Sequence, residues 1–152
     1  MKYRNDFVTN SSSSSFIVSF KNKEDMETQF KKMVEKYPHY GVRVFEDIKK
    51  YKKTYGEVLE YIKERLIWEA RYHIRYEMSE YADKKFDYEW FKSSEYKKIE
   101  KQYINKEIEK FKNSVNHRGY FAIVCYADDL DSELEHYIMP YLPFTIKIFS
   151  NH

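Results

Sequence analysis

Five consecutive serines, Ser11 to Ser15, follow Asn10 and run directly into the apolar segment Phe16 to Phe20. Hydroxyls and backbone N–H groups at the edge of a strand can together bind an anion. This placement makes the run a candidate ligand loop, although a serine tract alone is typical of a flexible linker. The predicted ligand-binding residues in this part of the chain are Asn10, Ser11, Ser12, Ser13 and Ser14.

An acidic turn is the second candidate site. Asp128, Asp129 and Asp131 follow the apolar segment Tyr120 to Tyr126. Carboxylates at a strand end can hold a divalent cation or act as acid and base, so Asp128 and Asp129 are candidate catalytic residues. The alternative is a helix N-terminus, where Asp side chains complement the helix dipole. An EF-hand is excluded because Met139 stands where that loop requires a bidentate glutamate.

Histidines supply further candidates. Glu133 and His136 form a Glu-x-x-His pair, and Glu69 and His73 lie four residues apart on another predicted helix. Both spacings can chelate a metal, but exposed pairs also arise by chance, and a di-metal bundle requires a second Glu-x-x-His copy that this chain lacks. His152 is the third candidate catalytic residue, as a proton carrier near neutral pH. The alternative for His152 is a terminal imidazole that faces water.

The composition argues against several function classes. Lys+Arg number 27 against 25 Asp+Glu, and the charges interleave along the chain, so nucleic-acid binding is not favoured. None of the three glycines lies within the serine run, so a P-loop and a dinucleotide fingerprint are absent. A single cysteine, Cys125, excludes an internal disulfide, and its apolar surroundings predict a small core residue. No signal peptide or bilayer-spanning segment is predicted, so we expect a cytoplasmic protein.

Three strands and several helices are predicted. The strands are Phe16 to Phe20, Tyr120 to Tyr126 and Phe144 to Phe149. The first of these is nearly continuously apolar, which is typical of a central strand buried on both faces. Helices are predicted from Asn22 to Tyr37, from a capping box at Thr54 and Glu57 to Tyr81, from Ser94 to Val115, and after the acidic turn. Between Pro38 and Thr54 we expect a turn and about two helical turns.

The predicted fold class is α/β, with a small three-stranded sheet, surrounding helices and a long helical hairpin inserted between the first two strands. Parallel strands joined by right-handed crossovers are the economical topology, because helical segments separate the strands. The alternative is an α+β sheet in which the first strand is antiparallel to the others. Only then do the serine run and the acidic turn meet at one end of the sheet and form a composite site.

The length predicts one domain, because two independent cores in 152 residues would each be marginal. The hydrophobic fraction is 42%, with 16 Tyr and 11 Phe, so we expect a core rich in aromatic rings. The predicted organisation is a single domain over 1–152, with a serine-rich lead-in at 1–15 and a helical insertion at 54–115.

The stretch Phe7 to Phe16 reads Phe-Val-Thr-Asn, five serines and Phe. It resembles the opening of a group of uncharacterised bacterial and phage proteins, some of which end in a similar Ser-Asn-His sequence. The resemblance implies that Asn10 to Phe16 is not a random linker. It also implies a role for Asn151 and His152, and Asn151 joins the predicted ligand-binding residues. It implies no activity, substrate or catalytic residue.

No complete catalytic set can be assembled from these residues, so we expect a non-enzymatic binding or regulatory module of bacterial or phage cytoplasm. The competing hypothesis is a small, metal-assisted enzyme acting on a phosphate-bearing substrate, in which Asp128 and Asp129 act with His152 while the serine run holds the anion. No cofactor is predicted beyond a divalent metal in that hypothesis. The expected partner is a protein or a small anionic ligand, and the helical hairpin could mediate a homodimer. The alternative is that the aromatic residues of the hairpin belong to the core.

Overall fold

The computed structural model describes residues 13–84 and 87–150, which contain one four-stranded sheet in the order β2-β3-β1-β4. The strands are β1 (Ser13–Phe20), β2 (Lys52–Lys53), β3 (Tyr120–Ala127) and β4 (Thr145–Ser150). β1 pairs antiparallel with both β3 and β4, and β2 pairs antiparallel with β3. The mixed helix and sheet class is as expected, and β1 is central as its apolar sequence predicts.

Two predictions about the sheet are wrong. The predicted parallel topology fails because β1 lies between β3 and β4 and runs opposite to both. A parallel pair needs a long crossover, but a long connection does not require a parallel pair, so connection length alone did not decide the direction. The predicted number of three strands is too low because it misses β2. This strand consists of two lysines, has no apolar pattern and extends the sheet beside β3.

One face of the sheet carries the main core of the first unit. It packs against α1 (Lys23–Lys36) and α2 (Pro38–Lys50). Its strand residues alternate, as the period of two in a strand requires. The buried residues from the strands and these two helices are Phe16, Val18, Phe20, Ala122, Val124, Tyr126, Met33, Val44, Phe45 and Ile48. Aromatic rings meet within this core, with the ring centroids of Phe20 and Phe144 4.9 Å apart, which confirms the expected ring-rich interior.

Capping residues set the helix boundaries in this unit. Asn22 Oδ1 accepts a hydrogen bond from the backbone N–H of Asp25 at 2.8 Å and starts α1, as predicted. Pro38 starts α2, because a proline in the first turn has no N–H that the helix would need. The turn predicted after Pro38 is therefore wrong, and the predicted two helical turns are too few, since α2 runs for 13 residues.

The described residues form two compact units, one up to Val58 and from Val115 onward, the other over Leu59–Ser114. The second unit lies within the predicted insertion at 54–115. That the two units fold as a single domain stays a prediction.

The second unit contains most of α3 (Tyr55–Tyr76) and all of α4 (Ser94–Ser114). The predicted capping box at the start of α3 is confirmed in the first unit, where Thr54 and Glu57 exchange hydrogen bonds of 2.9 and 3.1 Å. Short 3-10 segments at Ser79–Lys84 and Trp90–Lys92 lie between the two helices. A small core in the second unit comprises Ile74, Trp90 and Tyr96.

Gly119 lies where the chain enters β3. A Cβ added there would lie 2.3 Å from the carbonyl oxygen of Phe20 and 3.0 Å from that of Asn116. Both are backbone atoms, so the chain itself would have to shift. We expect Gly119→Ala to lower the free energy of unfolding by about 1–3 kcal/mol, measured by urea unfolding.

Gly56→Ala is the matched control for Gly119→Ala. The nearest atom to an added Cβ at Gly56 is Thr54 Oγ1 at 3.9 Å, which is ordinary contact. Because alanine favours a helix over glycine, this variant should be neutral or more stable by about 0.5–1 kcal/mol. Equal stabilities of Gly119→Ala and the wild type would contradict the close approach.

Candidate functional site

Antiparallel pairing brings three chain segments to one end of the sheet. Ser13 pairs with Ala127, the last residue of β3, and Ser14 pairs with Ser150, the last residue of β4. The acidic turn begins at Asp128, the next residue along the chain. The alternative strand direction considered for the sequence is therefore the one present, and the end of the serine run lies beside the acidic turn.

Three potential metal ligands converge at this end among the described residues. Asp128, Glu135 and His136 each offer one ligand atom, and these atoms lie within 4.8 Å of one another. His136 Nε2 lies 2.8 Å from Asp128 Oδ1, a hydrogen-bonding distance, and 3.1 Å from Glu135 Oε1. An imidazole nitrogen with carboxylate oxygens is a donor set that several transition metals accept.

The backbone of the acidic turn decides which side chains point inward. α5 (Asp128–Glu133) starts directly after β3, and Asp131 within it leaves the helical conformation, with φ −137° and ψ 42°. A π-helical turn follows at Leu134–Ile138. Glu135 is buried together with the apolar residues at the two ends of this turn. Isolated π-helical turns occur frequently at functional sites.

Glu135 places a buried carboxylate in this cluster. The residue is 2% exposed. Its Oε2 accepts a hydrogen bond of 2.8 Å from the hydroxyl of Ser14, which is itself buried. Its Oε1 accepts no hydrogen bond from the described residues, although the His136 ring is near. A buried charged acceptor that accepts no hydrogen bond is costly, so a cation beside Oε1 would be stabilising.

Two side-chain contacts tie this turn and β3 to α2. Arg43 donates to both carboxylate oxygens of Asp131 at 2.6 and 2.9 Å, and this hydrogen bonding raises the pKa of Arg43. The Tyr126 hydroxyl donates to Asp47 Oδ2 at 2.8 Å. Burial, together with this hydrogen bond, raises the pKa of Tyr126, so the hydroxyl stays a donor. Asp131 is thus engaged by Arg43, which leaves Asp128 as the carboxylate of the turn that faces His136.

The predicted site residues are only partly brought together. Asp128 belongs to the cluster, whereas Asp129 is exposed and contributes no ligand atom to it. Ser13 and Ser14 lie within β1, so the predicted loop is wrong for the last part of the serine run. The Ser14 hydroxyl is engaged by a carboxylate, which is not a setting that favours a second anion. Ser150 Oγ lies 3.5 Å from Ser14 Oγ.

The remaining predicted residues lie outside the described part of the chain. They are Asn10, Ser11, Ser12, Asn151 and His152. Their expected roles in ligand binding, and that of His152 in proton transfer, stay predictions.

Sequence reasoning missed Glu135. It paired His136 with Glu133 because their spacing suits one face of an α-helix, but Glu133 is exposed and lies outside the cluster. The π-helical turn changes which neighbours share a face, and no residue pattern predicts such a turn. One signal was present, since Leu134 and Ile138 lie four residues apart and mark the buried side, with Glu135 beside it.

The second predicted histidine pair also differs. His73 Nδ1 lies 2.7 Å from Glu77 Oε1, whereas Glu69 accepts a hydrogen bond of 3.0 Å from the Tyr103 hydroxyl. The ring of Tyr103 stacks on His73, with centroids 4.8 Å apart. His73 is not part of a group of three ligands among the described residues, so it serves as a control for His136.

Cys125 is not the core residue that the sequence predicts. It is exposed, and its Sγ lies 3.2 Å from Ser15 Oγ. β3 is buried mainly through Ala122, Val124 and Tyr126, which alternate with Cys125 and face the main core.

Comparison with known proteins identifies no relative. No protein-family model, curated protein or solved structure matches this chain. Every helix in the described part of the chain is too short or too polar to cross a lipid bilayer.

Ser14→Ala removes the hydrogen bond to Glu135 and leaves a buried carboxylate with less compensation. We expect the free energy of unfolding to fall by about 2 kcal/mol, measured by urea unfolding. Ser15→Ala is the matched control, because Ser15 is also buried in β1 but its hydroxyl contacts Cys125 and not a carboxylate. In Ser15→Ala the free energy of unfolding should fall by less than about 1 kcal/mol.

A second change separates hydrogen bonding from packing at Ser14. Adding Glu135→Met to Ser14→Ala removes the stranded carboxylate, so the double variant should regain part of the lost stability. Equal losses in Ser14→Ala and Ser15→Ala, with no recovery in the double variant, would contradict the cost assigned to the buried carboxylate.

Proposed function

We propose that this protein is a metal-binding module whose site comprises Asp128, Glu135 and His136. The observation that carries the proposal is Glu135, a buried carboxylate with one oxygen that accepts no hydrogen bond from the described residues. That oxygen lies beside an imidazole nitrogen and a second carboxylate. A divalent cation bound by all three would compensate the buried charge that Ser14 only partly satisfies.

One hydrogen bond from His136 does not satisfy both carboxylates. The Nε2 hydrogen of an imidazolium points along one direction. The shorter and hydrogen-bonded contact of Nε2 is with Asp128 at 2.8 Å, and Glu135 Oε1, at 3.1 Å, is left without a hydrogen bond. A metal ion is bound by several ligands at once, so it can engage both carboxylates and the ring.

The donor set favours a transition metal over calcium or magnesium. Calcium takes six to eight oxygen ligands and magnesium prefers an octahedron of oxygens, whereas zinc and its neighbours accept imidazole with carboxylates. Ligands about 2.1 Å from a tetrahedral ion lie roughly 3.4 Å apart. The Asp128 and His136 atoms at 2.8 Å would therefore move apart slightly, which their partly exposed side chains permit.

A metal ion held by these three residues would keep a coordination position for another ligand, which supports a second candidate function. Three protein ligands with a fourth position for water are typical of catalytic zinc sites. The side chains of Asp128 and His136 are 49% and 39% exposed, so a small anionic ligand could reach the ion. A metal-assisted enzyme acting on a phosphate-bearing substrate is thus the alternative, with Asp128 as ligand. Hydrolysis of 4-nitrophenyl phosphate by the zinc-loaded protein, lost in Glu135→Gln, would favour it over simple binding.

The origin and the cellular location of this module are inferred from the sequence alone. The resemblance of Phe7 to Phe16 to bacterial and phage proteins supports a bacterial or phage origin. A single cysteine is consistent with a cytoplasmic protein, since internal disulfides are absent. Both remain proposals beside the metal site.

Metal binding is tested with the chelator-stripped protein. Zn²⁺, Co²⁺, Ni²⁺, Mn²⁺ and Mg²⁺ are each added in thermal unfolding and titration calorimetry. We expect one site per chain and, at one hundred times the dissociation constant, a rise in melting temperature of about 5–10 °C with Zn²⁺ or Co²⁺. Bound Co²⁺ should give a visible absorption spectrum, and Mg²⁺ should have little effect.

Variants assign the metal to the site. Glu135→Gln and His136→Gln should weaken binding by at least about tenfold, whereas His73→Gln, in the other unit, should bind as the wild type does. Glu135→Gln still offers an oxygen to Ser14, so it should fold, which far-UV circular dichroism checks. Absence of any metal-induced shift, or a shift equal in Glu135→Gln and the wild type, would refute the proposal.

A further inference from the structure

The outward face of α3 carries large apolar side chains that contact solvent. Trp68 is 70% exposed and Ile67 42% exposed, and Tyr72 is 62% exposed. The opposite side of the same helix is fully buried at Leu66 and Ala70. An exposed tryptophan beside an exposed isoleucine on a helix marks a surface that another molecule can cover.

Charges on this face follow a symmetric order. Glu60 and Glu64 precede the apolar pair, and Arg71 and Arg75 follow it. Glu64 and Arg71 are equally far along the chain from the midpoint between Ile67 and Trp68, one before it and one after it. Glu60 and Arg75 are also equally far from that midpoint. These residues fall within one side of the helix at 100° per residue. This face of α3, from Glu60 to Arg75, forms a strip that is negative in its first half, apolar at its centre and positive in its second half.

We propose that two copies of this chain associate through this face, with their α3 helices antiparallel about a two-fold axis near Ile67 and Trp68. In that arrangement Glu64 of each copy meets Arg71 of the other, and Glu60 meets Arg75. The apolar pair of one copy covers that of the other. A two-fold interface requires a self-complementary surface, and a charge order that reverses across its midpoint meets this requirement.

Contacts within one copy leave these groups able to form the interface. Glu60 lies 3.7 Å from Lys63 Nζ, but an exposed pair of this kind is weak and readily exchanged. The guanidinium of Arg71 lies over the Trp68 ring at 6.0 Å, and that of Arg75 over the Phe91 ring at 4.7 Å. Both arginines contact aromatic rings, Arg71 also interacts with the Tyr96 hydroxyl, and the Nε of Arg75 is buried. Stacking on a ring leaves the other guanidinium N–H groups for a carboxylate.

The other charged groups near this face have contacts within the same copy. Glu57 accepts a hydrogen bond from the Thr54 N–H, Lys63 lies 3.7 Å from Glu60, and the Arg65 guanidinium lies over the Tyr61 ring. Glu69 accepts a hydrogen bond from Tyr103, and Glu77 contacts His73. A single-stranded nucleic acid would also use aromatic rings and arginines, but the glutamates in the first half of the strip would repel its phosphates. A second copy is the occupant that both halves of the strip favour.

The size of the strip predicts a weak dimer. A buried aromatic residue contributes roughly 150–250 Å² of surface, so the exposed parts of Trp68, Tyr72 and Ile67, counted on two copies, come to several hundred Å². With the four charged side chains this approaches the low end of specific interfaces, roughly 1,000–1,200 Å². We therefore expect association in the micromolar range.

Analytical ultracentrifugation of the whole chain tests the dimer over roughly 5–500 µM. The wild type should shift from monomer to dimer, and Trp68→Ala should weaken association at least about tenfold. Glu64→Lys and Arg71→Glu should each weaken it as well, because each sets like charges against each other. The double variant carrying both changes should recover association, because the charges are then exchanged between the copies.

Glu109→Lys is the matched control, because it reverses the same charge at an exposed position of α4 in the same unit. It should dimerise as the wild type does. Circular dichroism and thermal unfolding of dilute samples verify that each variant is folded. A wild type that is monomeric throughout this range would overturn the proposal, and so would a dimer that is insensitive to Trp68→Ala and Glu64→Lys. Monomers whose tryptophan fluorescence responds to an acidic peptide or to oligothymidylate, with the response lost in Trp68→Ala, would assign the strip to that occupant instead.

Discussion

The antiparallel pairing of β1 with both β3 and β4 is the constraint on which the proposed site depends. Because β1 runs opposite to its two neighbours, its first residues lie beside the last residues of both. Ser14 therefore faces the segment that follows β3, and its hydroxyl reaches Glu135, far away in sequence. In a parallel sheet the serine run and the acidic turn would lie at opposite ends, and no contact of this kind would form.

Burial of Glu135 then connects the fold to its proposed chemistry. The carboxylate is covered because the π-helical turn aims it at the core face of the sheet, next to apolar residues that hold that turn in place. Ser14 compensates one oxygen, and the other is near His136 and Asp128. Natural proteins retain buried charge where it has a partner, and the cation that we propose would supply one here. The Arg43 and Asp131 pair supports the arrangement by fixing the turn against α2.

Much of the local structure could be read from residue patterns. The capping residues Asn22 and Thr54 make the predicted hydrogen bonds, because a cap depends on residues three positions apart and on little else. Strand positions were also predictable from apolar runs. The segment after Pro38 was predicted as a turn and about two helical turns but forms a helix of 13 residues, since proline ends one helix and begins the next equally well. β2 has no apolar pattern and forms only because the sheet offers β3 as a partner.

The sequence by itself determined that the chain is a mixed helix and sheet protein with a central apolar strand and an acidic turn after a buried one. Those features follow from short-range preferences and from the period of apolar residues, which are local properties. Only the tertiary structure decided the direction of β1, the inward aim of Glu135 and its meeting with Ser14 and His136. Each depends on pairing between residues distant in the chain, and the free energy of such pairing comes from packing and desolvation that no local pattern records.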